Sequence, residues 1–121
     1  MPSVILCVDD DHIALSVRRL LLSTKGYSVL TANSVETALG LLNLNHVDLL
    51  ITDHLLPDGT GAELIAVTKC FKSEVPTVLL TGWPEVPPGY AFADLVLTKG
   101  IVPQDFLAKI GSLVSPHRNI A

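Results

Sequence analysis

The chain has 121 residues, 49% apolar and 17% charged, enough for one domain with a real core and too apolar for a disordered chain. Its formal net charge of −4 argues against nucleic acid as a direct ligand, because a phosphate backbone demands clustered Lys and Arg. No apolar run approaches the roughly 18 residues of a bilayer span, and Met1-Pro2-Ser3-Val4 lacks the basic region that opens a signal peptide, so a cytoplasmic protein without a membrane partner is expected.

Strand-like and helix-like patterns alternate along the chain. Val4 to Val8 is a short continuous apolar run, the pattern of a strand covered on both faces. From Ile13 the spacing becomes helical through Val17, Leu20, Leu21 and Thr24, and Gly26 stops the helix. The basic pair Arg18-Arg19 reads as a solvated face of that helix. Tyr27 to Ala32 reads as a second strand, and Ser34 caps a helix in which Val35, Ala38, Leu39 and Leu42 share a face. A third strand is expected over Asp48 to Thr52 and a third helix over Gly61 to Phe71. A fourth strand is expected over Pro76 to Thr81, and a fifth over Leu95 to Thr98. Between the last two lies GWPEVPPGYAFA, whose prolines forbid a regular helix, so a loop with at most one turn around Tyr90 to Ala93 is expected. Pro103 suits the first turn of a final helix with Phe106, Leu107, Ile110, Leu113 and Val114 as its buried stripe. The domain is expected to occupy residues 1–115, with 116–121 a short tail. Cys7 and Cys70 read as buried small hydrophobes rather than a disulfide.

Strands and helices alternating over short connections imply a parallel sheet with right-handed crossovers and helices on both faces, an α/β doubly wound fold. Ligands bind such sheets at the carboxyl ends of the strands, near the switch in strand order. There the first strand ends in Asp9-Asp10-Asp11, the third in Asp53, the fourth in Thr81 and the fifth in Lys99. Each residue alone has an ordinary use, since Asp caps turns, Thr satisfies local backbone and Lys is solvated. Together they make an acidic cluster that repels itself unless a cation neutralises it, and hard oxygen ligands suit Mg²⁺. Lys99 and Thr81 are placed to meet an acidic side chain or a bound phosphoryl group.

Val8-Asp9-Asp10-Asp11, Asp53 with Pro57 and Gly61 four and eight residues later, Leu79-Leu80-Thr81-Gly82 and Leu97-Thr98-Lys99 form a specific set. On these motifs the chain resembles a response-regulator receiver domain of two-component signalling, CheY-like, along nearly its full length. The resemblance implies a five-stranded parallel sheet of order 2-1-3-4-5. It implies that Asp53 accepts a phosphoryl group from a histidine kinase or phosphotransfer protein. Asp10 and Asp53 would hold Mg²⁺ directly, Asp9 mostly through water, and Leu55 through its backbone carbonyl. Lys99 and Thr81 would hold the phosphoryl oxygens, and the output would be contacts with a downstream protein or effector domain. His54, beside the acceptor, is expected to be turned away by side-chain alternation.

The sequence departs from that pattern in three places. The family lysine is usually followed by a cis-proline, whereas Lys99 precedes Gly100; the switching aromatic three residues before it is Val96; and the Pro-rich loop replaces the fourth helix. Trp83 and Leu55 take positions that in the family border the path of the hydrolytic water. Two other functions compete. One is a receiver-like module that binds partners without phosphorylation. The other is a haloacid-dehalogenase-type phosphatase with Asp9 as nucleophile and Asp11 as acid-base. The latter expects another acidic pair after the lysine, where only Asp105 occurs, and gives Asp53 no role.

Overall fold

Short apolar runs make the strands, and oxygen-bearing side chains start the first three helices. The computed structural model describes residues 2–82 and 92–114. Its elements are β1 (Val4–Val8), α1 (His12–Ser23), β2 (Ser28–Ala32), α2 (Val35–Leu44), β3 (Leu49–Asp53), β4 (Leu55–Leu56), β5 (Gly59–Thr60), α3 (Gly61–Phe71), β6 (Thr77–Thr81), β7 (Leu95–Thr98) and α4 (Pro103–Val114). Asp11 caps α1 by accepting the Ile13 and Ala14 N–H groups, Ser34 caps α2 by accepting that of Thr37, and Thr60 with Glu63 forms a reciprocal capping box on α3. Past the end of α1, Gly26 turns the chain with a φ of 84°, the left-handed region that glycine enters without a Cβ penalty. Pro103 opens α4, where its missing N–H costs no helical bond.

The main sheet is parallel, with order β2-β1-β3-β6-β7, which is 2-1-3-4-5 when its own strands are counted along the chain. β3 lies at its centre, buried at every position, and its side chains alternate between two cores. Leu49 and Ile51 join Ile5, Cys7, Val78 and Leu80 under α1 and α4. Leu50 joins Leu6, Val8 and Leu79 under α2 and α3, where Val96 is half-buried.

Several expectations change. The buried stripe of α1 contains Leu15 and Leu22, whereas Ile13, Val17 and Leu20 are exposed. Leu20 and Leu21 stand at helical spacing from Ile13, but the face that meets the sheet is rotated from theirs. Cys70 is exposed on α3; Cys7 is buried, and burial pushes its thiol up to about 12. A small antiparallel hairpin, β4 with β5, comes directly after β3 where only a loop was expected. Its Asp58 carboxylate accepts the Val35 and Glu36 N–H groups at 2.8 and 3.0 Å, tying the hairpin to the start of α2. The Lys99–Gly100 peptide is trans, and the turn closes through Ile101 N–H to the Thr98 carbonyl at 3.1 Å. Most of the expected loop, with the first part of its turn over Tyr90 to Ala93, the Trp83 position and the C-terminal tail fall on residues 83–91 and 115–121, outside the described residues. No helix among the described residues is long and apolar enough to cross a membrane.

Candidate functional site

The order of the main sheet reverses between β1 and β3, and both strands end there in carboxylates. Their register sets Val8 opposite Thr52, so the next residues, Asp9 and Asp53, emerge side by side. Backbone bonds carry the sheet onward: Asp9 N–H to the Ala32 carbonyl at 3.1 Å, His54 N–H to Leu80 at 3.2 Å, and Lys99 N–H to Thr81 at 2.9 Å. With a period of two, Asp9 follows Ile5 and Cys7, Asp53 follows Leu49 and Ile51, and Lys99 follows Leu97. All three therefore emerge on the α1/α4 side of the sheet.

The side chains meet closely. Lys99 Nζ lies 2.9 Å from Asp53 Oδ1 and 3.6 Å from Asp9 Oδ2. Asp53 Oδ1 also accepts the His54 N–H at 2.8 Å, and Asp9 Oδ1 accepts the Asp11 N–H at 2.9 Å. Oxygens of Asp9, Asp10 and Asp53 all lie within 4.8 Å of one another, with Asp9 and Asp53 buried and Asp10 exposed. That donor set of clustered carboxylate oxygens with one open side fits a hard divalent cation such as Mg²⁺, which retains several waters. Beside Asp53 opens a cavity of about 290 Å³ lined by Asp53, His54, Leu55, Thr81, Gly82 and Lys99.

The two buried carboxylates titrate in opposite directions. Burial works to raise Asp9, but the Asp11 N–H, Arg18 and Lys99 outweigh it and hold the carboxyl below its ordinary value. Burial raises Asp53 and outweighs its hydrogen bond from Lys99, while the charge of Asp9 adds to the rise. The backbone below Asp53 is held by Gly61. Its N–H donates to the His54 carbonyl at 2.6 Å, and a Cβ there would collide with the Asp53 carbonyl oxygen and Leu79. The spacing of eight residues between the aspartate and the glycine thus reflects a close backbone approach.

Asp9, Asp10, Asp53, Thr81 and Lys99, which the strand-end reading groups, lie at one edge, and Leu55, named through the family resemblance, lines the same cavity. Asp11 is not among them: its carboxylate accepts two N–H groups of α1 as the cap of that helix. His54, expected to be turned away, borders the cavity, and its Nδ1 is buried without a hydrogen-bond partner among the described residues.

Arg18 overturns its reading as a solvated helix residue. Its Nη1 lies 2.9 Å from Asp9 Oδ2, and its side chain is 12% exposed, whereas Arg19 is exposed. The signal was its place between Leu15 and Leu22, three residues after one and four before the other, inside the stripe that the fold buries.

Comparison with known proteins identifies the family and the fold. The family profile described as the response regulator receiver domain matches residues 5–110. Transcriptional regulatory protein GlrR of Escherichia coli is 36% identical over 74% of this chain, a match spanning 20% of that protein. Cell cycle response regulator CtrA of Brucella ovis is 30% identical over 92% of the chain and 49% of its own length. The chain thus spans about a fifth to a half of these relatives. Among solved structures, a CheY-like receiver domain protein from Methanospirillum hungatei superposes with a TM-score of 0.91 at 25% identity, covering 100% of both chains. Response regulator TrrA from Thermotoga maritima, solved with Mg²⁺-BeF, gives 0.87 at 26% identity over 92% of this chain and 98% of its own. The chain belongs to the response regulator receiver domain family.

Proposed function

We propose that this receiver domain is a phosphorylation switch in which Asp53 takes a phosphoryl group from a histidine kinase or phosphotransfer protein. The observation that carries the reading is Lys99 at 2.9 Å from Asp53 Oδ1, within a group of three carboxylates whose oxygens lie within 4.8 Å and beside a cavity. An Asp53 oxygen attacks phosphorus, an O–P bond forms, and the P–N bond to the donor imidazole breaks, its electron pair leaving on nitrogen. Asp9, Asp10, Asp53 and the Leu55 carbonyl would hold Mg²⁺, which when bound neutralises the carboxylates and the developing charge on phosphoryl oxygens. Lys99 exchanges its bond with Asp53 for one with a phosphoryl oxygen, and the Thr81 hydroxyl, on the cavity wall, binds another.

The role is regulatory, and the output is contact with a downstream protein or effector domain. Ile13, Val17 and Leu20 form an exposed apolar row on α1, and Val17 lines a second hollow with Lys99, a surface suited to a protein donor at the site.

Incubation with acetyl phosphate and Mg²⁺, with intact mass measurement afterwards, tests the reading. One phosphoryl adduct is expected in wild type and none in Asp53→Ala. Absence of an adduct in wild type would favour a binding module that works without phosphorylation.

A further inference from the structure

We propose that Arg18 is a resident counter-ion of the acidic site, which competes with the divalent cation for Asp9 and sets the cation affinity of the domain. The inference rests on the divalent-cation reading above and extends it to a residue outside the strand ends.

Arg18 reaches the site from the buried side of α1 and bonds Asp9 Oδ2 at 2.9 Å, closer than the 3.6 Å of Lys99. Asp9 itself is 0% exposed, and its other oxygen is occupied by the Asp11 N–H. The guanidinium therefore occupies the oxygen that Asp11 leaves, the same one that Lys99 approaches from its bond with Asp53. A charge-assisted bond between groups so poorly hydrated cannot be replaced cheaply by solvent.

The charge balance points the same way. Lys99 and Arg18 leave one net negative charge on Asp9, Asp10 and Asp53; without Arg18 two would remain, the number that a divalent cation neutralises. Arg18 thus lets the site stay folded without metal, and it lowers the gain from binding one. Repulsion between a guanidinium and a divalent cation a few ångströms apart corresponds to about tenfold or more in affinity.

The test is calorimetric titration of Mg²⁺ into wild type, Arg18→Gln and Arg18→Lys, with thermal melts in chelator and in Mg²⁺. Arg18→Gln is expected to bind Mg²⁺ about tenfold tighter, to melt lower than wild type in chelator, and to gain more from Mg²⁺. Arg18→Lys keeps the charge and is expected to stay within about threefold of wild type. Should Arg18→Gln be unfolded in chelator, folding on addition of Mg²⁺ supports the proposal, and failure to fold at Mg²⁺ that saturates wild type overturns it.

Binding by Arg18→Gln but not by wild type also supports it. If wild type binds and Arg18→Gln binds equally or more weakly, Arg18 is a structural partner of Asp9 and the proposal fails, with the divalent-cation reading intact. A tightening in Arg18→Lys equal to that in Arg18→Gln likewise removes competition by charge. If none of the three proteins binds Mg²⁺, both the proposal and the cation reading fall.

Discussion

Asp9 and Asp53 show how two like residues, one strand apart, are driven in opposite directions. Asp9 is held below its ordinary value because the Asp11 N–H, Arg18 and Lys99 outweigh burial. Its stabilisation is present above the usual aspartate pKa of about 3.9 and is lost as pH falls through the lower native value. Asp53 is raised, burial outweighing its bond from Lys99, so the native state holds that proton more tightly than the unfolded chain does. Stability therefore decreases as pH rises from about 3.9 through the raised native value. In chelator, Asp53→Asn should flatten that part of the stability profile and raise the melting temperature at neutral pH. Asp9→Asn should lower it. Thermal melts across the acid and neutral range check both, and a lower neutral melting temperature for Asp53→Asn would mean that the Lys99 pair outweighs burial.

At the scale of elements, the position of the acceptor depends on the segment between β3 and α3. The β4–β5 hairpin returns the chain so that Gly61, the first residue of α3, bonds the His54 carbonyl and lies against the Asp53 carbonyl. The hairpin is fastened at its far end by Asp58 on the first turn of α2, a bond that also holds the Asp58 carboxyl below its ordinary value. Gly61→Ala forces α3 away from β3 and should cost about 3 kcal/mol, the upper end of overpacking penalties. Urea denaturation measures that cost, and the rate of phosphoryl uptake from acetyl phosphate should fall with it, because the acceptor end of β3 shifts. Unchanged stability would mean that the helix can shift without strain.

For the whole molecule, the acidic edge is a local electrostatic cost carried by two well-filled cores. β3 buries all five of its residues between those cores, so its C-terminal carboxylate is presented by a rigid strand. A cation that binds only the folded state should raise stability by about 2.7 kcal/mol at a hundredfold excess over Kd. Melting temperature against Mg²⁺ concentration should show that rise in wild type and lose most of it in Asp10→Asn. Asp10 is the exposed member of the trio, so its substitution disturbs the apo fold least.

The order of the main-sheet strands and the helices around them, the Ser34 cap, the Gly26 stop, and the gathering of Asp9, Asp10, Asp53, Thr81 and Lys99 at one edge were legible in the sequence. Periodicity, capping and strand-end position are local properties, and the parallel topology then brings all strand ends together. The features that escaped it depend on residues distant along the chain. The rotation of α1 that exposes Ile13 and buries Arg18 follows from how the helix seats on the sheet, which its own spacing left ambiguous. Asp58 meets Val35 across 23 residues, and no local rule pairs them. The sequence by itself therefore determined an α/β domain with an acidic, lysine-bearing edge. Only the tertiary structure decided that this edge carries a second cation, Arg18, because a buried carboxylate takes its counter-ion from whichever neighbouring element packing brings within reach.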